Sequence, residues 1–169
     1  MAKPKKIVGI NPKQSFHENA RILLPQKVAE VYSWEQFIHD PEKREELHNM
    51  RISVKRLRYT MEFFSVNYDT PRKHKARKYH TSKYEEWTDF IDTIIELQDI
   101  LGDIHDNDVV LETLTEYKNN HPSTDMVGIE TLMTRTREKR NADYESFLKR
   151  WEHLTKTGFK RKLLDIIAS

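Results

Sequence analysis

The sequence predicts an all-α fold, an antiparallel bundle of five to six helices, on three observations. Four glycines and six prolines in 169 residues are too few for turn-rich β structure. Charged residues make up 33% and hydrophobic ones 37%, with a mean hydropathy of −0.83, the balance of long amphipathic helices. Apolar residues recur at helical spacing along most of the chain, with no clear strand signal and no short-period repeat. The length fits one domain with a real core, and seven Phe, seven Tyr and three Trp argue against disorder. The absence of cysteine removes disulfides, thiolate zinc sites, Fe–S clusters and cysteine nucleophiles.

Residues 1–14 are polar and Lys-rich and read as a flexible tail ahead of a helical domain spanning 15–169. Nothing resembles a signal peptide or membrane span, so a cytoplasmic protein is expected. Ser15 with Glu18 forms a capping box for a first helix from Phe16 to Ile38. Its apolar stripe holds Phe16, Ala20, Leu23, Leu24, Val31, Trp34 and Ile38, and Pro25 should kink or restart it. Asp40-Pro41 suits the N-cap and first position of a second helix reaching Val66. Asn67 to Lys83 reads as a loop with a dense basic run from Arg72 to Lys78. A third helix, Ser82 to Leu101, buries Tyr84, Trp87, Ile91, Ile94 and Leu101. Gly102 should end it, and Asp103 should cap a fourth helix to Asn119. After a turn at His121-Pro122-Ser123, a fifth helix spans Asp125 to Leu154. Gly158 separates it from a closing helix, Phe159 to Ile167.

The second helix is the most informative. At about 100° per residue, Leu47, Met50, Val54, Leu57, Met61 and Phe64 share one face. Arg44, His48, Arg51, Lys55 and Arg58 fall within roughly 80° on another. Cations three and four residues apart repel, so five of them call for a counter-anion, from the protein or from a ligand. The bland alternative is a solvated basic face.

Charge is segregated along the chain. Residues 43–83 hold 12 Lys/Arg against 4 Asp/Glu, a net of +8, and residues 84–127 hold 1 against 12, a net of −11. One surface could therefore hold a polyanion while the whole chain stays at +2, or the two blocks could neutralise each other across a helix pair. Two cations sit on apolar stripes: Lys27 among Leu23, Leu24 and Val31, and Arg140 amid Met126, Ile129, Met133, Tyr144, Phe147, Trp151 and Leu154. A buried cation needs an anion, a salt bridge or water. Arg140 could pair with an inward acid such as Asp108, or both cations could face an anion-filled channel.

Enzyme constellations are weak. Glu45-x-x-His48 is half of a carboxylate di-iron motif without its second half. His39-Asp40 and His105-Asp106 match the dipeptide of HD-type metal-dependent phosphohydrolases, whose chemistry needs further converging ligands. There is no phosphate-cradling glycine loop and no serine-nucleophile motif.

His48-x-x-Arg51-x-x-x-Lys55-Arg56-x-Arg58-Tyr59, followed by Leu97-Gln98-Asp99-Ile100-Leu101-Gly102-Asp103-Ile104-His105-Asp106-Asn107-Asp108-Val109, resembles the CHAD family, the conserved histidine α-helical domain. The stretch Glu18 to Pro25 is also similar to that family's first helix. The resemblance implies a CHAD-like helical bundle around a basic cavity and non-catalytic binding of inorganic polyphosphate, with no cofactor. It implies His48, Arg51, Lys55, Arg56, Arg58, Arg21 and His105 as binding residues, with Asp106 and Asp108 as caps or counter-ions. Helix geometry adds Lys27 and Arg140 to that set, and Arg137 lies on the same fifth helix. The family usually carries two helical repeats, whereas one motif pair is present here. The chain is then either a shortened version or half of a cavity completed by a second subunit of a homodimer. A helical nucleic-acid-binding module is the alternative, since a basic stripe also accepts RNA or DNA. Only Tyr59 offers a stacking platform beside the stripe, which argues against it. No membrane partner is expected.

Overall fold

Ser15 starts the first helix as its spacing predicts: the backbone N–H of Glu18 donates to the Ser15 hydroxyl at 3.2 Å, and that of Ser15 donates to the Glu18 carboxylate at 2.8 Å. The computed structural model describes residues 7–68, 81–121 and 126–169, the side chains of 81–84 excepted. Within them are five α-helices and no strand: α1 (Phe16–Tyr32), α2 (Arg44–Phe64), α3 (Thr81–Asn120), α4 (Val127–Lys156) and α5 (Phe159–Ala168), with short 3-10 turns at Glu35–Phe37 and Ser65–Asn67. The expected basic loop falls largely on residues 69–80, and part of the expected turn after His121 on 122–125, both outside the described residues.

Three boundaries correct the sequence expectations. Pro25 lies inside α1, which continues through it to Tyr32, so the chain reaches Ile38 by a 3-10 turn rather than by helix. Asp40 does not cap α2. Its carboxylate accepts the N–H of Glu42 at 3.0 Å, a local turn, and the helix begins only at Arg44. Gly102 does not end a helix; α3 runs unbroken for 40 residues, about 60 Å. Leu97, Leu101 and Ile104 are all buried around Gly102. Burying such side chains stabilises by about 1.5–3 kcal/mol each, against about 1 kcal/mol for a mid-helix glycine. Gly158, by contrast, takes a left-handed φ of 70° between α4 and α5, a conformation costly for any residue with a Cβ.

The helices pack in chain order, α1 on α2, α2 on α3 and α3 on α4, and α5 closes across α1, α3 and α4. The predicted apolar face of α2 is buried in full, from Leu47 to Phe64. It meets Leu24, Val28 and Val31 of α1, Trp87, Ile94, Leu97 and Leu101 of α3, and Phe147 and Trp151 of α4 in one core. Four aromatic polar tips find the partners that burial favours: Trp34 donates to Ser53 at 3.0 Å, Trp87 to Ser65 at 3.1 Å, Tyr144 to the Ile38 carbonyl at 2.7 Å and Trp151 to Glu35 at 2.9 Å. With its apolar face turned inward, α2 presents its basic face along the outer edge of its contact with α3.

Candidate functional site

The basic stripe of α2 lies in a seam against α3, and the two helices run antiparallel through it. Arg58 reaches Gln98 at 3.5 Å, Arg51 packs beside Gly102, His48 meets His105 at 3.2 Å between Nδ1 atoms, and Arg44 comes within 3.7 Å of Asp108. From Arg51 to Arg44 each step is about one helical turn on both helices, so this part of the stripe and its α3 counterparts stay in register, whereas Arg58 lies two turns from Arg51 and Gln98 one turn from Gly102. The α3 side of the seam offers uncharged Gln98 and Gly102 to Arg58 and Arg51, with the charge of Asp99 felt at Arg58, and ends on Asp108. Asp99, Asp103 and Asp106 are exposed, and Asp103 and Glu96 turn to Lys139 and Arg150 of α4. Among the described residues, ion pairing between the α2 stripe and the acids of α3 lies at the lower end of the seam, where Arg44 meets Asp108.

Carboxylates hold the stripe at its two ends. Arg58 pairs with Glu62 at 2.8 Å, and Arg44 lies near Glu42 and Asp108. At the centre, His48, Arg51 and Lys55 have no ion-pair partner among the described residues. The Nε–H of Arg51 is buried and meets no acceptor there. Lys55 and Arg58 lie 5.9 and 5.7 Å from the ring centre of exposed Tyr59, within the range of a cation–π contact. Burial, followed by the nearby charges of His105 and Arg51, pushes the His48 imidazole below its ordinary pKa. Below His48 and His105 the seam opens into a cleft of about 1160 Å³ shared with Arg44, Arg137, Glu112 and Glu116. The structure thus brings His48, Arg51, Lys55, Arg58 and His105 together, with Arg137 across the cleft.

The other predicted cations lie elsewhere. Lys27 and Arg56 converge on Glu30, at 3.1 and 2.9 Å, in a buried network that Ser53 joins at 3.4 Å. Burial raises the Glu30 carboxyl pKa, but hydrogen bonds from Lys27 and Arg56 outweigh it and hold the group below its ordinary value. Arg140 is buried and donates to Asp108 at 3.1 Å and to the Pro41 carbonyl at 2.7 Å, so the internal pairing open to it in the sequence is the one formed. Arg21 donates to the Ala168 carbonyl, tying α1 to the end of α5. Glu30 was missed by sequence reasoning. Its signal was an acid on the apolar side of α1, three residues after Lys27.

An all-α bundle with a cationic seam between two antiparallel helices is the class of protein that fold and site define. The CHAD domain family model matches residues 5–109, a span that takes in α1, α2 and α3 as far as the acidic end of the seam. The chain belongs to the CHAD family, which is associated with polyphosphate binding. No curated protein and no solved structure matches it significantly. Among the described residues no helix is long and apolar enough to cross a membrane, and no three His, Asp or Glu side chains group as metal ligands.

Proposed function

We propose that this chain binds inorganic polyphosphate, without turning it over, along the seam between α2 and α3. The observation that carries this reading is the unneutralised centre of the stripe: Arg51 with a buried, unpartnered Nε, and Lys55 beside it without an acid. A buried N–H without an acceptor is costly, and an anionic ligand over the half-buried Arg51 offsets that cost. Polyphosphate is an evenly charged chain, and cations one turn apart, about 5.4 Å, can follow it. Arg51 and Arg58 supply forked donors, Lys55 a point charge, and His48 with His105 a protonatable pair. Arg44 and Arg137 extend the path to the mouth of the cleft, where Glu45, Asp108, Glu112 and Glu116 limit how far an anion enters. Lys27, Arg56, Arg140 and Arg21 enter this reading as framework residues, because each is held by another group of the chain. Family membership supports the ligand class, and the scarcity of exposed aromatic side chains along the stripe favours a bare phosphate chain over nucleic acid.

Titration with polyphosphate and with single-stranded RNA of matched charge, across salt concentration, tests the reading. Neutralising about five phosphates releases their counterions, at roughly 0.7 each for a single strand, so the log–log slope should be about −3 to −4. Retained affinity with a slope near zero would refute an electrostatic seam. Equal affinity for RNA at every salt concentration would favour a nucleic-acid-binding module.

A further inference from the structure

The two histidines at the middle of the seam do more than add charge. His48 Nδ1 and His105 Nδ1 are 3.2 Å apart, and their rings lie 4.3 Å centre to centre. At that separation one Nδ1–H donates to the lone pair of the other, which requires at least one neutral ring. A second proton would place two N–H groups head to head and two positive charges in contact. The surroundings add to this: Arg44 and Arg51 on α2 and Arg137 on α4 are cations near the pair, and burial disfavours charge on His48. The acids facing the same space are Glu45 on α2 and Asp108, Glu112 and Glu116 on α3. Asp108 is already held by Arg140 and Arg44.

Resting on the proposed polyanion site, we propose that the His48–His105 pair couples binding to proton uptake, so that the seam fills under mildly acidic conditions and empties under mildly alkaline ones. A phosphate chain over Arg51 and Lys55 brings negative charge beside both rings and favours their charged forms. The first proton makes an imidazolium that keeps the Nδ1–H···Nδ1 bond. The second breaks that bond, and each freed Nδ1–H turns to a phosphate oxygen. No covalent bond changes. The protons come from solvent and return to it on release.

The sign follows from linkage. Binding raises the imidazole pKa, so affinity is greatest below the free-state value and is lost as pH rises through the bound-state value. Each proton taken up corresponds to a tenfold change in affinity per pH unit inside that window. Long-chain polyphosphate is the appropriate probe, because its titratable end groups are a negligible fraction of the chain. Its dissociation constant, measured from pH 8 to pH 5.5 at fixed ionic strength, should fall at least tenfold. Calorimetry at pH 6.5 in two buffers of different ionisation enthalpy should show a net uptake of protons. The paired variant H48N/H105N should bind with a pH-independent constant.

Imidazole resonances of the unmodified protein should titrate at higher pH in the complex than in the free chain, a readout that does not depend on the variant folding. Binding that is flat in pH, with no proton uptake, would overturn the proton coupling while leaving the polyphosphate site intact. Absence of binding at every pH would instead overturn the site itself. Retention of the full pH dependence in a folded H48N/H105N variant would assign the coupling to other groups and also overturn the proposal.

Discussion

Arg51 and Arg140 show how differently two arginines on a helix face can behave. Arg140 is buried on a carboxylate and a carbonyl of its own chain, whereas Arg51 has no such partner among the described residues. Replacing Arg140 with Ala should leave Asp108 under-paired and cost about 3–5 kcal/mol. For a chain of this size that corresponds to a fall of roughly 10 °C in melting temperature, readable by circular dichroism. The double reversal R51E/R58E should instead abolish polyphosphate binding while leaving helicity and melting almost unchanged. A large melting loss in that ligand-free variant would mean that the stripe serves the fold. Glu30 gives a third contrast. Its folded pKa lies below the ordinary carboxylate value, so its stabilising effect is present above that ordinary value and is lost as pH falls through the folded one. Melting temperature should drop on acidification, and E30Q should show a shallower drop over the same range.

At the scale of the element, α3 is the informative case, because its sequence contains a stop signal that the structure ignores. Gly102 followed by Asp103 has the residues of a helix end and a new cap, but both flanking apolar stripes bury against the same core, so continuing costs less than breaking. A Cβ at Gly102 would meet Arg51 Nε at 3.7 Å, ordinary contact. G102A should therefore stabilise the helix by up to about 1 kcal/mol with polyphosphate affinity retained, whereas G102L should displace Arg51 and weaken binding. Affinity measurements on both variants separate the two effects. The six apolar positions of the α2 core face were legible from their helical spacing, whereas the burial of Asn49 and Ser53 beside them was not. The grouping of His48 with His105 was legible only through the family motif. That Lys27 and Arg56 face Glu30 was not legible, because it depends on how α1 is rotated against α2, and periodicity within one helix does not fix a rotation between two.

For the whole molecule, the segregation of charge survives folding. Among the described residues, the cations of α2 and the acids of α3 share one helix contact, yet several α3 acids point to solvent or to α4. Lys27 and Arg140, whose sequence positions left an internal pair and an external anion both open, are satisfied inside one chain, so neither needs a second subunit. A dimer that completes the cavity would therefore join through the stripe itself, and like-charged faces would repel until a polyanion lay between them. Association should tighten when polyphosphate is added, as light scattering over a concentration series with and without it would show. A strict monomer that still binds tightly would establish that a single seam suffices.

The length of that seam sets a further property. From His48 to Arg58 the stripe rises about 15 Å along α2, a footprint far shorter than a polymer of a hundred units. Such a polymer is then a one-dimensional lattice of overlapping positions, any of which one protein can occupy. Affinity per molecule of polymer should grow in proportion to the number of available positions, although no individual contact improves. At saturation, bound proteins should space themselves by the width of the bundle and not by the span of the stripe. Sedimentation against polymers of defined length would then give a stoichiometry linear in length, its slope reporting the bundle's own diameter.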